Sequence, residues 1–274
     1  MRQALPVTGT RRWLACGMPG VSDAGDWLSP AEAARLAGIR HPKRRTELRL
    51  SRWTAKHAIA TALGLGTAPG ELARIEVRPA ASGAPVVFHG GVPAPVAVSL
   101  TDRADWAVCL LGPPGTALGC DLELVEPRSD AFVRTWFTDR ERDAVFAAGS
   151  ARERFLLANL FWSAKESALK VLETGLRRDT RSVTVEAGAE RAGWAPLVVR
   201  AAEGPEFPGW WRRYGDFLLT CAAATPWEPP RSLVEPPPLA TAVPSHGWLT
   251  EVRRSGPSPA PAPRPGTAAG RSPG

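Results

Sequence analysis

The sequence predicts an α+β fold made of two similar halves, followed by a disordered tail. Each half offers a helix and several short strands in a similar order. The run Gly112-Pro113-Pro114-Gly115 marks a natural boundary, because Gly and Pro interrupt regular structure. Residues 1–112 therefore form the predicted N-terminal half, residues 113–225 the C-terminal half, and residues 226–274 the tail.

The N-terminal half is predicted to contain one clear helix, which begins near Lys43. Its apolar residues recur at helical spacing up to Leu63, and Gly64 and Gly66 end it. Short strands are predicted after the helix at residues 73–77, 85–88, 96–100 and 106–111. The last two strands flank a polar turn at residues 101–105, which predicts a hairpin.

The C-terminal half is predicted to begin with a strand at residues 117–125. A helical region at 130–148 and a long helix at 151–172 follow, and Gly175 fits the C-terminal stop of the long helix. Further strands are predicted at residues 182–186, 196–201 and 216–223. We find no repeat of sequence between the halves, only a similar order of elements.

The tail differs from the rest of the chain in composition. Residues 226–274 hold 13 of the chain's 28 prolines, mixed with Ser, Gly, Ala and Arg, which predicts disorder. The formal net charge is +7; the tail has five Arg and three Glu, so the halves keep +5. This excess favours an anionic partner, such as nucleic acid, a phosphate ligand, a membrane surface or an acidic protein.

The cysteines and the short length of the apolar runs predict the cellular compartment of the protein. Cys16, Cys109, Cys120 and Cys221 form no C-x-x-C pair, which predicts buried free thiols in a reducing environment. No apolar run is long enough for a signal peptide or a membrane span. We therefore predict a cytoplasmic protein.

Two acids share one face of the first predicted strand of the C-terminal half. Along residues 118–124 the apolar side chains alternate with Gly119, Asp121 and Glu123. Side chains two residues apart on a strand lie about 7 Å apart, so both carboxylates can reach one hard cation such as Mg²⁺. A solvated sheet face with incidental acids is the open alternative.

The long helix carries Trp162, Glu166 and Lys170 at i, i+4 and i+8, on one face. A Glu–Lys pair at this spacing is an ordinary stabilising contact on many helices. The functional alternative is a third metal-binding carboxylate with a phosphate-binding lysine one turn further along. The helix by itself leaves both interpretations open.

Taken together, the two segments resemble a known family. Residues 162–170, Trp-Ser-Ala-Lys-Glu-Ser-Ala-Leu-Lys, followed by Gly175-Leu176, resemble the W-[ST]-x-K-E-x-x-x-K…G-[KR]-G-L signature of Sfp-type 4′-phosphopantetheinyl transferases. Residues 119–123, Gly-Cys-Asp-Leu-Glu, resemble that family's G-[IV]-D-[IL]-E. The order of the motifs and the 43 positions from Glu123 to Glu166 also fit.

The resemblance implies a pseudo-twofold pair of α/β halves with the site in the cleft between them. Such enzymes transfer the phosphopantetheine arm of coenzyme A to a serine of an acyl or peptidyl carrier protein and release 3′,5′-ADP. By match, Asp121, Glu123 and Glu166 hold Mg²⁺ against the pyrophosphate. Lys170 then contacts a phosphate, as does Lys165, although Lys165 is turned about 100° away on the helix.

Two further segments resemble the family. Phe137-Thr138-Asp139-Arg140-Glu141 is similar to F-[ST]-x-x-E, whose Glu is a proposed base for the serine hydroxyl; the same residues also make a capping box. The basic helix after Lys43 resembles the one that meets the coenzyme A 3′-phosphate. Its cations follow helical spacing and predict one basic face opposite the apolar stripe: Arg45, Arg49, Arg52 and Lys56. Phosphate contact is assigned to the first three, and a solvated face is the alternative.

One segment departs from the family. Gly83-x-Pro85 and residues 98–103 occupy the place of G-x-P…[NS]-[IL]-S-H-[ST], and Asp102 stands where a phosphate-contacting His is usual. Thr101 can supply the hydroxyl of the usual serine. Because an acid repels phosphate, Arg103 is the candidate that replaces the His.

Other classes of protein remain as alternatives. A nucleic-acid-binding module could use the basic helix, but no recognised motif for one is present, and three acids do not help it. A non-catalytic relative could bind coenzyme A or a carrier protein. A Mg²⁺-dependent nuclease or phosphatase lacks the joint motif match. The favoured prediction is a monomeric, cytoplasmic transferase that activates carriers for polyketide, nonribosomal peptide or fatty-acid synthesis, with neither nucleic acid nor membrane as partner.

Overall fold

A computed structural model describes residues 10–247 of the chain. The helices are α1 (Pro30–Ala37), α2 (Pro42–Leu63), α3 (Pro69–Ala73), α4 (Asp130–Trp136), α5 (Asp139–Phe146) and α6 (Ala151–Val171). The strands are β1 (Arg12–Gly17), β2 (Ile75–Pro79), β3 (Pro85–His89), β4 (Val92–Pro93), β5 (Ala97–Arg103), β6 (Trp106–Gly112), β7 (Leu118–Leu124), β8 (Val183–Ala187), β9 (Ala195–Ala201), β10 (Glu206–Tyr214), β11 (Phe217–Ala223) and β12 (Arg231–Ser232). The α+β prediction is confirmed.

Antiparallel sheets form the framework of both halves. In the C-terminal half the strand order is β7-β11-β10-β9-β8, and α6 packs against β7 and β11. In the N-terminal half β1, β6 and β5 are neighbours, β2 and β3 pair, and β3 contacts β5. The N-terminal half has two separate sheets, β12-β1-β6-β5 and β2-β3-β4. With β3 beside β5, the succession β1, β6, β5, β3, β2 resembles the C-terminal strand order.

A shared apolar layer joins the two halves. It takes buried side chains from β1 and β6 on one side and from β7 and β11 on the other, including Trp13, Leu110, Leu122 and Leu219. The long helices α2 and α6 each pack on the other face of the sheet in their own half, where each forms a separate apolar core. Burial of this central layer holds β7 and β5 beside each other and so fixes the cleft between the halves.

The repetition extends to the sequence, which contradicts our prediction that the halves share no repeat. Trp53-Thr54-Ala55-Lys56 in α2 matches Trp162-Ser163-Ala164-Lys165 in α6. The two lysines are fully buried and occupy corresponding places in their halves. The repeat is short, and only the three-dimensional correspondence makes it recognisable.

The buried lysines make the same contacts in both halves. Lys56 Nζ lies 2.6 Å from Glu32 Oε2, and Lys165 Nζ lies 2.8 Å from Glu141 Oε2. Each of these glutamates closes a capping box at the start of its helix. The remaining oxygen of each accepts a backbone N–H from the following strand, from Val77 in one half and Val185 in the other.

The hairpin of β5 and β6 differs from its prediction. The turn is not residues 101–105 but the two residues Ala104 and Asp105, whose φ angles of 49° and 63° suit a tight hairpin turn. Thr101 and Asp102 therefore lie on β5, beside β7. The prediction also missed β1, β4, β10, β12, α1 and α3, and it merged α4 with α5.

The predicted disordered tail begins later than residue 226. Residues 231 and 232 pair in parallel with β1, the Trp227 ring donates to Pro208 O, and Leu239 is buried in the layer between the halves. Further along, Ser245 N–H donates to Ala104 O. The prediction of disorder is wrong for residues 226–247, because these apolar side chains find partners in both halves; residues 248–274 lie outside the described chain.

Candidate active site

The close packing of α6 on β7 builds the site. A Cβ placed on Gly119 would lie 2.0 Å from Ser167 O and 2.9 Å from Lys170 Cβ, so only glycine allows this approach. Cys120 and Leu122 enter the central apolar layer, while Asp121 turns the other way, toward α6. The glycine of the Gly-x-Asp motif thus brings the carboxylate of β7 to the lysine of α6.

Lys170 and Asp121 form the centre of the site. Lys170 Nζ lies 3.0 Å from Asp121 Oδ1 and donates to Cys120 O at 2.8 Å. Thr101 Oγ1 on β5 donates to the same Asp121 oxygen at 3.2 Å. Burial lowers the pKa of Lys170, but Asp121, Cys120 and Glu166 outweigh it and the pKa lies above its ordinary value, so the ammonium is retained.

Glu166 is the third charged residue at the centre of the site, after Lys170 and Asp121. Burial raises the pKa of Glu166 to about 7, with a further contribution from the nearby Asp121 charge, while Lys170 opposes the rise. Asp121 Oδ2 and Glu166 Oε1 are buried without a hydrogen-bond partner in the part of the chain that the structure describes. Two buried carboxylates that interact electrostatically, each with an unpartnered oxygen, are suited to a cation.

The metal prediction fits this arrangement only in part. Among residues 10–247, no group of three or more Asp, Glu, His or Cys side chains is already arranged as metal ligands. The unpartnered oxygens of Asp121 and Glu166 nevertheless fit a hard divalent ion, which prefers oxygen ligands. The residues therefore fit Mg²⁺ at two of the three predicted positions.

Glu123, the third predicted ligand, is held by two arginines. Its Oε2 lies 3.0 Å from Arg128 Nη2 and 3.4 Å from Arg103 Nε. Burial and the Asp121 charge raise the pKa of Glu123, and the two guanidinium groups oppose that rise. Arg128 also donates to Asn159 on α6 at 2.7 Å. The sequence carried no signal for Arg128, a single cation in the loop after β7.

The raised pKa of Glu166 predicts a pH effect on stability. The folded state binds this proton more tightly than the unfolded chain, so the contribution of Glu166 is full below its unfolded pKa and is lost as pH rises through about 7. In the absence of metal, wild type should lose stability relative to Glu166→Gln over that interval. Urea unfolding at a series of pH values measures this, and parallel curves for the two proteins would contradict it.

A large cavity lies between the halves and reaches Lys170. Its volume is about 1030 Å³, and its walls come from α2, β2, β3 and β5 on one side and the end of α6 on the other. Cations from separate elements line it: Arg35, Arg52, Arg78, Arg177 and Lys170. Glu173 is the acidic side chain of the lining, so the cavity has an excess of positive charge.

The basic helix is arranged differently from the prediction. Lys56 is fully buried against Glu32, and Arg52 Nε lies 3.7 Å from the same carboxylate. Arg45 donates to Ile39 O at 2.7 Å, and Arg49 donates to Ser22 O. The predicted single basic face is wrong, because Glu32 draws two of the cations inward; of the three arginines assigned to phosphate, the cavity wall includes Arg52.

The segment that departs from the family flanks the Lys170–Asp121 pair. Arg103, predicted to replace the usual His, lies 2.7 Å from Glu126 and also faces Glu123, so a phosphate contact would require it to exchange these partners. Asp102 is exposed on β5. Burial of its other side raises the pKa of Asp102 to about 6, aided by Glu47 and Asp121 and opposed by Lys170 and Lys43.

Glu141 and Lys165 lie away from this site, which corrects two predicted assignments. Glu141 is 1 % exposed, and its oxygens accept from Thr138 and Val185 and pair with Lys165. Lys165 Nζ also donates to Thr180 O and Val183 O. A base must reach the serine and a phosphate ligand must reach solvent, so neither assignment fits.

Two unpartnered carboxylate oxygens, a lysine and a cation-lined cavity form a candidate site that suits a phosphate-bearing ligand. Residues 117–216 match the family model of the 4′-phosphopantetheinyl transferase superfamily, which confirms the predicted resemblance at the level of the superfamily. The matched segment contains Asp121, Glu166 and Lys170. No curated protein matches the chain in a sequence search. Across residues 10–247, no helix is both long and apolar enough to cross a bilayer.

Proposed function

We propose that the protein transfers the 4′-phosphopantetheine group of coenzyme A to a serine of an acyl or peptidyl carrier protein, in the manner of Sfp-type enzymes. The observation that carries the proposal is the position of Lys170. It lines the basic cavity and pairs with Asp121 beside Glu166, so a phosphate held in the cavity meets the acids at one end. The superfamily match supports phosphopantetheine transfer in general.

The cavity supplies the binding of coenzyme A. Its guanidinium groups offer charge-assisted hydrogen bonds to the phosphates of the nucleotide. Pro85, Val86 and Val87 on β3 give an apolar wall that suits a flat base. Gly83, with φ of 95°, lets the chain turn back at the rim of the cavity. In this proposal the N-terminal half binds the nucleotide, as the sequence predicted.

The C-terminal half supplies the reacting end of the site. Mg²⁺, when bound by Asp121 and Glu166, would offset the negative charge of the pyrophosphate and of the departing 3′,5′-ADP. Lys170 holds a phosphate oxygen with its retained ammonium and shields it from Asp121. Arg103 and Arg128 fix Glu123 beside this group, at the position of the third predicted ligand.

The remaining assignments follow from this function. Carrier proteins are typically acidic, and the formal charge of +7 favours such a partner through electrostatic steering. A monomer in the cytoplasm that acts in polyketide, nonribosomal peptide or fatty-acid synthesis, and so in secondary metabolism, is part of the proposal. The alternative of a nucleic-acid-binding module loses its main support, because the basic helix α2 has no single cationic face.

A non-catalytic relative that binds coenzyme A or a carrier is the second candidate. The exposed Asp102 favours it, because an acid in place of the usual His would repel phosphate. The intact Asp121, Glu166 and Lys170 group favours catalysis.

Mass spectrometry of apo carrier proteins separates the two candidates. Each carrier is incubated with the full chain, coenzyme A and Mg²⁺, and a gain of one phosphopantetheine mass supports transfer. Binding of coenzyme A by calorimetry without any mass gain, across fatty-acid, polyketide and peptidyl carriers, would favour the non-catalytic candidate. Neither binding nor mass gain by the folded protein would contradict both.

The cavity arginines predict a specific loss of affinity. Arg78→Ala removes a cation from the cavity wall and should raise the KM for coenzyme A about 10-fold, because a charge-assisted hydrogen bond contributes about 1.5–3 kcal/mol. Arg74→Ala is the matched control, because Arg74 is on the same segment but outside the cavity lining and pairs with Glu71. Equal KM values for the two variants would remove Arg78 from the binding site.

A further inference from the structure

Arg177 joins the two halves at the edge of the large cavity. It lies beyond the end of α6, in the short turn Gly175–Arg177, and lines the cavity. Its Nη2 donates to Ser82 O, between β2 and β3, at 3.0 Å and to Glu173 O at 3.1 Å. Ser82 also lines the cavity. A guanidinium of the C-terminal half therefore contacts the N-terminal half beside the space proposed for coenzyme A.

The charge of Arg177 is not offset by a carboxylate. Three other cations of the cavity wall lie beside acids: Arg52 beside Glu32, Arg78 beside Glu76 and Lys170 beside Asp121. Arg177 forms no ion pair with any residue that the structure describes, and both of its acceptors are uncharged backbone carbonyls. A guanidinium binds a phosphate more strongly, because the phosphate is charged and can accept two parallel hydrogen bonds. Exchange of the carbonyls for a phosphate is therefore favourable.

A second polar group of the same segment has no partner. Thr174 lines the cavity, and its Oγ1 is buried without a hydrogen-bond partner among residues 10–247. A buried hydroxyl in this state carries a cost, which an acceptor on a ligand would remove. The chain reverses here through two left-handed residues, Glu173 at φ 54° and Gly175 at φ 51°. This conformation is uncommon for a residue other than glycine, and such strain is typical of segments that hold a ligand.

On the basis of the function proposed above, we propose that Arg177 binds the 3′-phosphate of coenzyme A from the C-terminal half and so determines specificity for the phosphorylated ribose. Coenzyme A carries negative charge at two places, the pyrophosphate and the 3′-phosphate. In the proposed function Lys170 and the acids beside it take the pyrophosphate. Arg177 contacts Ser82, which precedes the wall at residues 85–87 that suits the base. The phosphate on the ribose next to that base is therefore the one assigned to Arg177.

The test compares the binding of coenzyme A and 3′-dephospho-coenzyme A to the full chain by calorimetry, without a carrier protein. In Arg177→Ala the Kd for coenzyme A should rise about 10-fold or more, because a charge-assisted hydrogen bond is lost, while the Kd for the dephospho compound stays unchanged. Arg178→Ala is the matched control, because Arg178 is the next residue along the chain and donates to Ser182 Oγ outside the cavity lining. Its two Kd values should equal those of wild type.

Arg177→Gln separates the phosphate contact from the contact between the halves. The amide keeps an N–H group that can donate to Ser82 O but has no charge, so we expect it to bind coenzyme A as weakly as Arg177→Ala does. Arg177→Lys keeps the charge and should recover part of the affinity. Wild-type affinity in Arg177→Gln would make Arg177 a structural link between the halves and overturn the proposal. Thermal unfolding establishes that each variant is folded.

The remaining outcomes distinguish this proposal from the proposed function. An unchanged Kd for coenzyme A in Arg177→Ala, an equal rise of both Kd values, or the same rise in Arg178→Ala would overturn the assignment and leave transfer intact. The expected pattern of Kd values, with no transfer by wild type to any carrier, would support the phosphate contact and contradict the proposed transfer. Absence of coenzyme A binding by folded wild type would overturn both.

Discussion

Replacement of Glu166 by glutamine is expected to reduce transfer by about 10³-fold or more in kcat/KM, because a bound metal supplies several kcal/mol of stabilisation to the transition state. The amide keeps the shape of the side chain but removes the charge of a carboxylate whose Oε1 is buried without a partner among residues 10–247. Asp121, which is tied to Lys170, cannot hold the ion equally well alone. Steady-state kinetics on a carrier protein measures the loss.

A second measurement separates metal binding from a general loss of activity. On the proposed function, Mg²⁺ should raise the Tm of wild type, because the ion would bind the folded protein and offset the repulsion between Asp121 and Glu166. Glu166→Gln should show a much smaller rise. Glu153→Gln, on the first turn of the same helix, is the charge-matched control and should respond to Mg²⁺ as wild type does. An equal Mg²⁺ response in all three proteins would contradict the assignment of Glu166.

The sequence could predict the centre of the site because its residues are local. Gly119 and Asp121 are two positions apart on one strand, and Glu166 and Lys170 lie one turn apart on one helix, so spacing alone places each pair on a common face. What spacing cannot give is the distance between strand and helix. That distance is set by Gly119, where any side chain would collide with Ser167 O.

The sequence could not predict the cavity for a physical reason. Arg35, Arg78 and Arg177 come from different elements that meet only in the folded chain, so no local pattern marks them. The basic helix, in contrast, gave a strong local pattern that was misleading. Its spacing is regular, but Glu32 from α1 pairs with Lys56 and faces Arg52, and an ion pair across elements overrides the pattern along one helix.

The duplicated fold explains why the site uses both halves and occurs once. His57 occupies the place in α2 that Glu166 has in α6, and Thr61 occupies the place of Lys170, so α2 lacks counterparts of these two residues. The reverse also holds. Ala144 and Phe161 in the C-terminal half occupy the positions that correspond to Arg35 and Arg52, which line the basic cavity in the N-terminal half. In the proposed function each half therefore contributes one part of the site, and transfer would need the cleft that joins them.

The same duplication makes the effect of Glu141→Gln predictable. In both halves a capping-box glutamate pairs with a fully buried lysine and binds the backbone of the next strand. Removal of the charge leaves Lys165 buried without its counter-ion, and breaking such a pair costs about 3–5 kcal/mol of the free energy of unfolding. We expect Glu141→Gln to lower stability by this order, measured by urea unfolding.

Glu32→Gln is the matched control, because Glu32 makes the equivalent ion pair with Lys56 in the N-terminal half, which does not contain Asp121 and Glu166. Both variants should lose stability to a similar degree, and both should keep the wild-type kcat when assayed well below their Tm. A serine base would behave otherwise: Glu141→Gln would lose kcat at full stability while Glu32→Gln kept it. Because Glu141 has both oxygens occupied and is 1 % exposed, its contribution to the protein is structural, and the two variants should be kinetically alike.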